Sequence, residues 1–534
     1  MKGLEFYFMH IKKNSSKLSS KLKFLTILAM TACSISTVHN YSNAIESTAN
    51  SSISVNKNNN NFRLDDKYIE KCAKESAEKF LKKLESLQNQ GKDLNKVKIV
   101  LIARGGNHDM HDDKANYFNN KKVNHGLDFL CYDIADYLES LSSRLTDGSV
   151  ILPIIVDQAD FTVTELNSVR DKHYNILPAL ELLKSVDCND AYNVDHFGGN
   201  FYKTSTQFKA LQAFFEHIAE KIGYRVETNQ KGKKSIVAQN NENKNIPLIY
   251  LMINAADIKT DGVFNFEYLK CGRCSYRPGF VAFYNNPSDI EGKKLCNLIV
   301  KHCSEDCLKK NSEGASAKTE CDNSNLVQCE KGKMVPAFAQ NANLAGALSF
   351  VGFGDVPNEQ KKILDPDTMN RLAMQYAKAI AEWFNIKPAT TNLTIEPAYS
   401  SAYYDSDDND SCTYVDDKFI VTAHFKNIDP SNLKKGFIVV VKADPNLDEN
   451  SWNEAKSKAT PLNIVQEKDS DDYKMIKTFN ISDFEGCKNF YIKIFDEHGL
   501  PIISDITSFI FDKKSNGTVK ITPNNFTKFD LLQN

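Results

Sequence analysis

His108, Asp109, His111, Asp112, Asp113 and His125 crowd one stretch of the chain, and Asp128 follows close behind. Imidazole nitrogens and carboxylate oxygens are borderline and hard donors, so this stretch could hold a divalent ion. A solvated polar loop has the same composition. His196, in VDHFGG (194–199), is an outlying candidate of the same kind. A sulfur set lies further on, where Cys271 and Cys274 form a Cys-x-x-Cys pair and Cys296, Cys303, Cys307, Cys321 and Cys329 follow. Thiolates so spaced can share a tetrahedral zinc ion, but in an exported chain disulfides are their expected fate. Cys412 and Cys487 are a further candidate pair. Gly198-Gly199 and Gly352-x-Gly354 are too sparse to cradle a phosphate, and no Gly-x-Ser-x-Gly nucleophile elbow occurs.

The expectation of export comes from the first residues. Lys12, Lys13, Lys17, Lys21 and Lys23 precede the apolar run 24–35, and Ser42-Asn43-Ala44 follows. This is the pattern of a signal peptide over 1–44, cleaved after Ala44. Met30-Thr31-Ala32-Cys33 offers an alternative, lipoprotein-type cleavage that would acylate Cys33. With 66 basic and 68 acidic side chains the charge is balanced, which argues against a nucleic-acid partner. No later apolar run is long enough for a transmembrane helix, so the expected mature chain is soluble or tethered at its start.

Elements that could position these donors come in two textures. Residues 45–64 are rich in Asn and Ser and are expected to be a flexible linker. From 65 to 388, apolar runs at 96–103, 149–156, 246–253, 279–284 and 346–353 alternate with amphipathic stretches. Such runs suit strands buried on both faces, so the expected fold is α/β, a mostly parallel twisted sheet flanked by helices. Leu127, Leu130, Ile134, Leu138 and Leu141 mark one helix face, and Leu372, Tyr376, Ile380 and Trp383 another. Asp365-Pro366-Asp367 is a start signal for the second. A helix is also expected over 207–222, ending at Gly223. The Cys-rich segment 271–335 is expected as an insertion stiffened by disulfides. After Pro388 the runs shorten and alternate, predicting a β-sandwich of immunoglobulin-like size over 389–534. The acidic run 405–410 lacks the turn glycine of a calcium loop and is expected to be solvated.

Taken in order, four segments resemble the zinc-dependent N-acetylmuramoyl-L-alanine amidases, which cut the amide between glycan and stem peptide in bacterial cell walls. KIVLIARGGNHD (98–109) lies over the family's strand and D-x-G-H-G-G turn, and NHGLDFLCYDIADYLESL (124–141) over the helix whose start supplies a glutamate. DQADFTVTELNSVR (157–170) resembles the acidic turn and arginine-bearing helix after the second strand, although 217–230 could itself be that entry. LMINAAD (251–257) replaces the family's S-I-H-A-N-A. The most specific match is 346–384, an apolar strand, Gly352-Phe353, a turn with Pro357-Asn358, Leu364 and an alanine-rich helix.

The resemblance implies two histidines and a glutamate around zinc, and a second glutamate as general base. Here the first histidine position is Gly105, the ligand glutamate is Leu127 or, one residue on, Asp128, the second histidine is Met252, and the catalytic glutamate is Phe350. Of these only Asp128 is a donor for zinc, and Phe350 cannot accept a proton. The expectation is therefore an exported, non-catalytic domain with no metal cofactor that binds peptidoglycan, a cell-wall fragment or a protein partner. An active amidase would need zinc on a displaced set such as His108 and Asp128. A secreted surface effector or adhesin is the third reading.

Overall fold

The computed structural model describes residues 53–56, 61–64, 66–104, 127, 130–142, 145, 147–156, 174–175, 213–228, 230, 234–238, 246–256, 281–284, 290–307, 326–328, 345–353, 363–398, 413–415, 418–428, 431, 433–443, 449–468, 472–484, 489–513 and 519–523. Within the expected linker, β1 (Ile53–Asn56) and β2 (Asn61–Leu64) pair as an antiparallel hairpin. Alternation in Ile53, Val55, Phe62 and Leu64 gives this polar stretch enough β character to pair. Helix α1 (Asp66–Asn89) follows and buries Ala73, Ala77, Phe80, Leu84 and Leu87, a helical repeat among lysines and glutamates. Phe80 meets Phe214 edge-on at 5.8 Å.

The five apolar runs become strands of one sheet. Its members are β3 (Val97–Arg104), β4 (Val150–Val156), β5 (Tyr174–Asn175), β8 (Leu248–Ala256), β9 (Val281–Tyr284), β10 (Leu326–Gln328) and β11 (Ala345–Phe353), in the order β10-β9-β11-β8-β3-β4-β5. All pairings are parallel except β9 with β11. Val100, Leu101, Ile102, Ile249, Tyr250 and Leu251 are fully buried, as expected of central strands covered on both faces. The two intervening strands, β6 (Tyr224–Thr228) and β7 (Lys234–Ala238), instead form a separate antiparallel hairpin after Gly223, which sits at φ 87°. The alternative second-strand entry at 217–230 is therefore corrected: β4 takes that place beside β3.

Helices α2 (130–142), α3 (Ile290–Cys307) and α4 (Pro366–Trp383) contribute to the core of the sheet through Leu130, Ile134 and Leu138, Leu295 and Ile299, and Leu372, Tyr376 and Ile380. Helix α3 corrects the expected disulfide-held insertion over part of its length. Cys296 and Cys303 lie on its inner face as buried thiols, as does Cys131 on α2. Seven residues apart on one helix they are roughly 10 Å apart, too far to bridge to each other, and each packs as a small hydrophobe. Cys271, Cys274, Cys321, Cys329, Cys412 and Cys487, and the side chain of Cys307, lie outside the described residues.

The short alternating runs after Pro388 form seven main strands. They are β12 (Thr390–Pro397), β14 (Lys418–Lys426), β15 (Lys435–Lys442), β18 (Tyr473–Asn480), β19 (Asn489–Asp496), β21 (Ser508–Lys513) and β22 (Val519–Pro523), joined by the short β13 (Thr413–Val415), β16 (Leu462–Asn463), β17 (Val465–Gln466) and β20 (Pro501–Ser504). Inward residues of β12, β14 and β18 share a core with those of β15, β19, β21 and β22, centred on Phe419, Phe490, Phe509 and Phe511. Strand β20 links the two sets, pairing antiparallel with β19 and parallel with β12. Helix α5 (Glu449–Lys458) has no counterpart in the sequence reading; its Trp452 packs with Val439 and Phe495, and Lys493 Nζ stands 4.8 Å from the Trp452 ring centre.

Helix α4 is buried nearly all round. Its second side meets the β-rich region, where Ile503 joins the core of the α/β sheet. Among the described residues no helix is long and apolar enough to cross a membrane.

Candidate functional site

In an open parallel sheet, ligands bind beyond the carboxyl ends of the strands, so the ends of β3, β8 and β11 are where chemistry would be assembled. These three are adjacent. Their register brings the backbone of Met252 level with Ala103 on β3 and Leu348 on β11, and Phe350 level with Asn254. Arg104, the last residue of β3, is paired with Ile253. The positions implied by the resemblance as second histidine and catalytic base thus lie on the neighbouring strands β8 and β11. Gly105 itself and the side chains of Met252 and Phe350 lie outside the described residues.

Residue types at these positions do not fit zinc. Glycine and phenylalanine offer no donor in any orientation, and methionine offers only a thioether, which suits soft copper better than zinc. Leu127 has 0% exposure and belongs to the core shared with Leu130, Ile134 and Tyr137. A residue so enclosed is part of the packing beneath the strand ends, not a ligand presented to water. Among the described residues no three His, Cys, Asp or Glu side chains gather as a metal site. His108, Asp128, His196 and the rest of the polar set around 108–125 lie outside the described residues.

Two buried tyrosine hydroxyls beside these strands are paired within the protein. Ser349, immediately before Phe350, has its Oγ 2.5 Å from Tyr376 Oη in a fully buried pair. Tyr137 Oη donates to Asn370 Oδ1 at 2.8 Å. Burial, with Asp133 and Asp136 nearby, pushes the Tyr137 hydroxyl well above its ordinary pKa, so it stays protonated and available as a donor. On the outer side of α4, Glu382 accepts from Lys301 Nζ at 3.0 Å and lies 2.7 Å from His302 Nε2. The His302 contact, then Lys301, holds the Glu382 carboxyl below its usual value.

Sequence reasoning missed the polar contacts at the second side of α4. Asp365 caps the helix, accepting from Thr368 N at 2.9 Å, and also accepts from Tyr491 Oη at 3.0 Å. Asp367 accepts from Ser508 Oγ at 3.0 Å, while Arg371 Nε donates to Thr507 Oγ1 at 2.5 Å. The spacing of Asp367 and Arg371 by four residues was the available signal.

No protein-family model and no curated protein matches the sequence. Solved structures similar to this chain include the CwlD amidase from Clostridioides difficile in complex with the GerS lipoprotein, at 12% identity and a TM-score of 0.25, covering 54% of this chain and 99% of that one. The catalytic domain of CwlV, an N-acetylmuramoyl-L-alanine amidase from Bacillus (Paenibacillus) polymyxa var. colistinus, has the same identity, TM-score and coverage. The N-acetylmuramoyl-L-alanine amidase AmiC2 of Nostoc punctiforme is 11% identical with a TM-score of 0.25, covering 54% of this chain and 97% of that one. The fold described above rests on strand order, register and burial.

Proposed function

We propose that this chain is an exported, cell-wall-associated protein whose α/β domain has an amidase-like scaffold without amidase chemistry, and that it binds peptidoglycan or a protein partner at the strand ends. The observation that carries this reading is that positions 252 and 350 lie on the adjacent strands β8 and β11, each with a residue unable to serve the role that the resemblance gives it. Leu127, enclosed in the core, supports the same conclusion. The β-rich region is read as an immunoglobulin-like sandwich, and the first 44 residues as the export signal.

Two measurements on the purified chain test this: metal content, and release of stem peptide from isolated cell walls, run beside co-sedimentation with the same walls. Co-sedimentation without metal or turnover is the expected result. Stoichiometric zinc with turnover would mean that a displaced ligand set operates, and no co-sedimentation would remove the cell-wall ligand.

A further inference from the structure

The α/β and β-rich folds meet through a buried polar cluster that the proposed function does not use. Asp367 is 3% exposed, and Thr507 and Ser508 are 1% and 0% exposed. Its Oδ2 accepts from Ser508 Oγ at 3.0 Å and lies 3.3 Å from Arg371 Nε, which is itself committed to Thr507. Asp367 Oδ1 has no hydrogen-bond partner. A buried carboxylate satisfied on one oxygen is costly when ionised, and a neutral carboxyl at the same place is not. Asp365 and Arg371 on α4 act on it, as do the hydroxyls of Thr507 and Ser508; Tyr137 of α2 feels its charge, and Tyr491 on β19 bonds Asp365. Asp505, which precedes β21, faces the cation Lys378 of α4.

We propose that Asp367 is a proton-operated latch between the two folds, so that uptake of one proton from solvent tightens the docking of the β-rich region on α4. Burial, the largest influence, raises the Asp367 carboxyl above its usual value; Arg371 opposes this and Asp365 adds to it. The sign follows from linkage: a carboxyl with a raised folded pKa favours the folded, docked state at acid pH, and that gain is lost as pH rises through the raised value. Asp505, also raised by burial, acts in the same direction at the same interface.

The chain supplies its own reporters, with Trp383 at the end of α4 and Trp452 on α5. Trp452→Phe and Trp383→Phe variants of the full chain therefore follow one fold each during urea unfolding. Both reporters are expected to move together, with midpoints that rise as pH falls through the raised value toward the ordinary 3.8, the folding constant changing by up to about tenfold per pH unit within that window. Asp367→Asn, which mimics the protonated state, is expected to raise the midpoint at pH 7 and reduce its pH dependence. Ser508→Ala withdraws a donor that favours the ionised form, and so is expected to destabilise more at pH 7 than at pH 5. An unchanged pH slope in Asp367→Asn would overturn the proposal. Should that variant fail to fold, equal destabilisation by Ser508→Ala at both pH values would overturn it instead.

Discussion

Tyr137 on α2 donates its hydroxyl to Asn370 Oδ1 on α4 at 2.8 Å, across 233 positions of sequence and entirely out of water. Asn370 is 3% exposed, so no solvent replaces that donor if it is removed. Tyr137→Phe is expected to cost about 1 to 3 kcal/mol, the scale for leaving a buried acceptor unsatisfied. Urea denaturation of the variant checks this, and a loss below a few tenths would show that Asn370 finds another partner.

Leu127 separates a packed scaffold from a disguised ligand site. Leu127→Glu should destabilise by about 3 to 5 kcal/mol, as an uncompensated buried charge does, whereas Leu127→Met should cost less than about 1.5 kcal/mol. If the glutamate is tolerated and the variant takes up zinc, position 127 is a ligand position after all.

Glu382 joins α3 to α4 through His302 and Lys301. Its carboxyl is lowered below the usual 4.5, so the linkage has the sign opposite to that of Asp367. Stability from this contact is present above 4.5 and is lost as pH falls through the lowered value. Glu382→Gln should therefore flatten the acid limb of the thermal-stability profile and lower Tm near neutrality, with the effect kept small by exposure to solvent.

Gly436 pairs with Asp496 where β15 meets β19. A Cβ there would stand 2.6 Å from the backbone oxygen of Phe495 and 3.3 Å from Met475 Sδ. Backbone cannot swing away as a side chain can, so Gly436→Ala is expected to cost about 1 to 3 kcal/mol by overpacking, read as a fall in Tm.

Cys131, Cys296 and Cys303 are 2%, 0% and 0% exposed thiols. Alkylating reagent should leave these three positions unmodified in the native protein and modify all three once urea unfolds it, which peptide mass mapping checks. Modification of Cys296 or Cys303 under native conditions would place that face of α3 at the surface.

The strands of the α/β sheet were legible because a strand buried on both faces must be apolar along its whole length, as 96–103 and 246–253 are. Helix α4 was half legible. Leu372, Tyr376 and Ile380 announce the face toward the sheet, but its other side is covered while carrying Asp367, Asn370 and Arg371, which read as a wet surface. The chain's return at 507–508 supplies partners for Asp367 and Arg371, and Tyr137 of α2 supplies one for Asn370. Cysteine chemistry misled at 296 and 303, because a helical register that buries a thiol is indistinguishable by count from a disulfide framework. For the candidate site, residue types at 105, 252 and 350 were readable, whereas the adjacency of 252 and 350 required the register of β8 and β11.

Strand β20 has a mechanical consequence. Four residues, Pro501–Ser504, hydrogen-bond to β19 on one side and to β12 on the other. Thr391 Oγ1 adds a bond to Ile503 O, and Ser140 Oγ on α2 grips Pro501 O at 2.6 Å. A load that drew β12 away from β19 would fall on this four-residue ladder together with the bond from Lys477 Nζ on β18 to Ile438 O on β15 and the shared aromatic core.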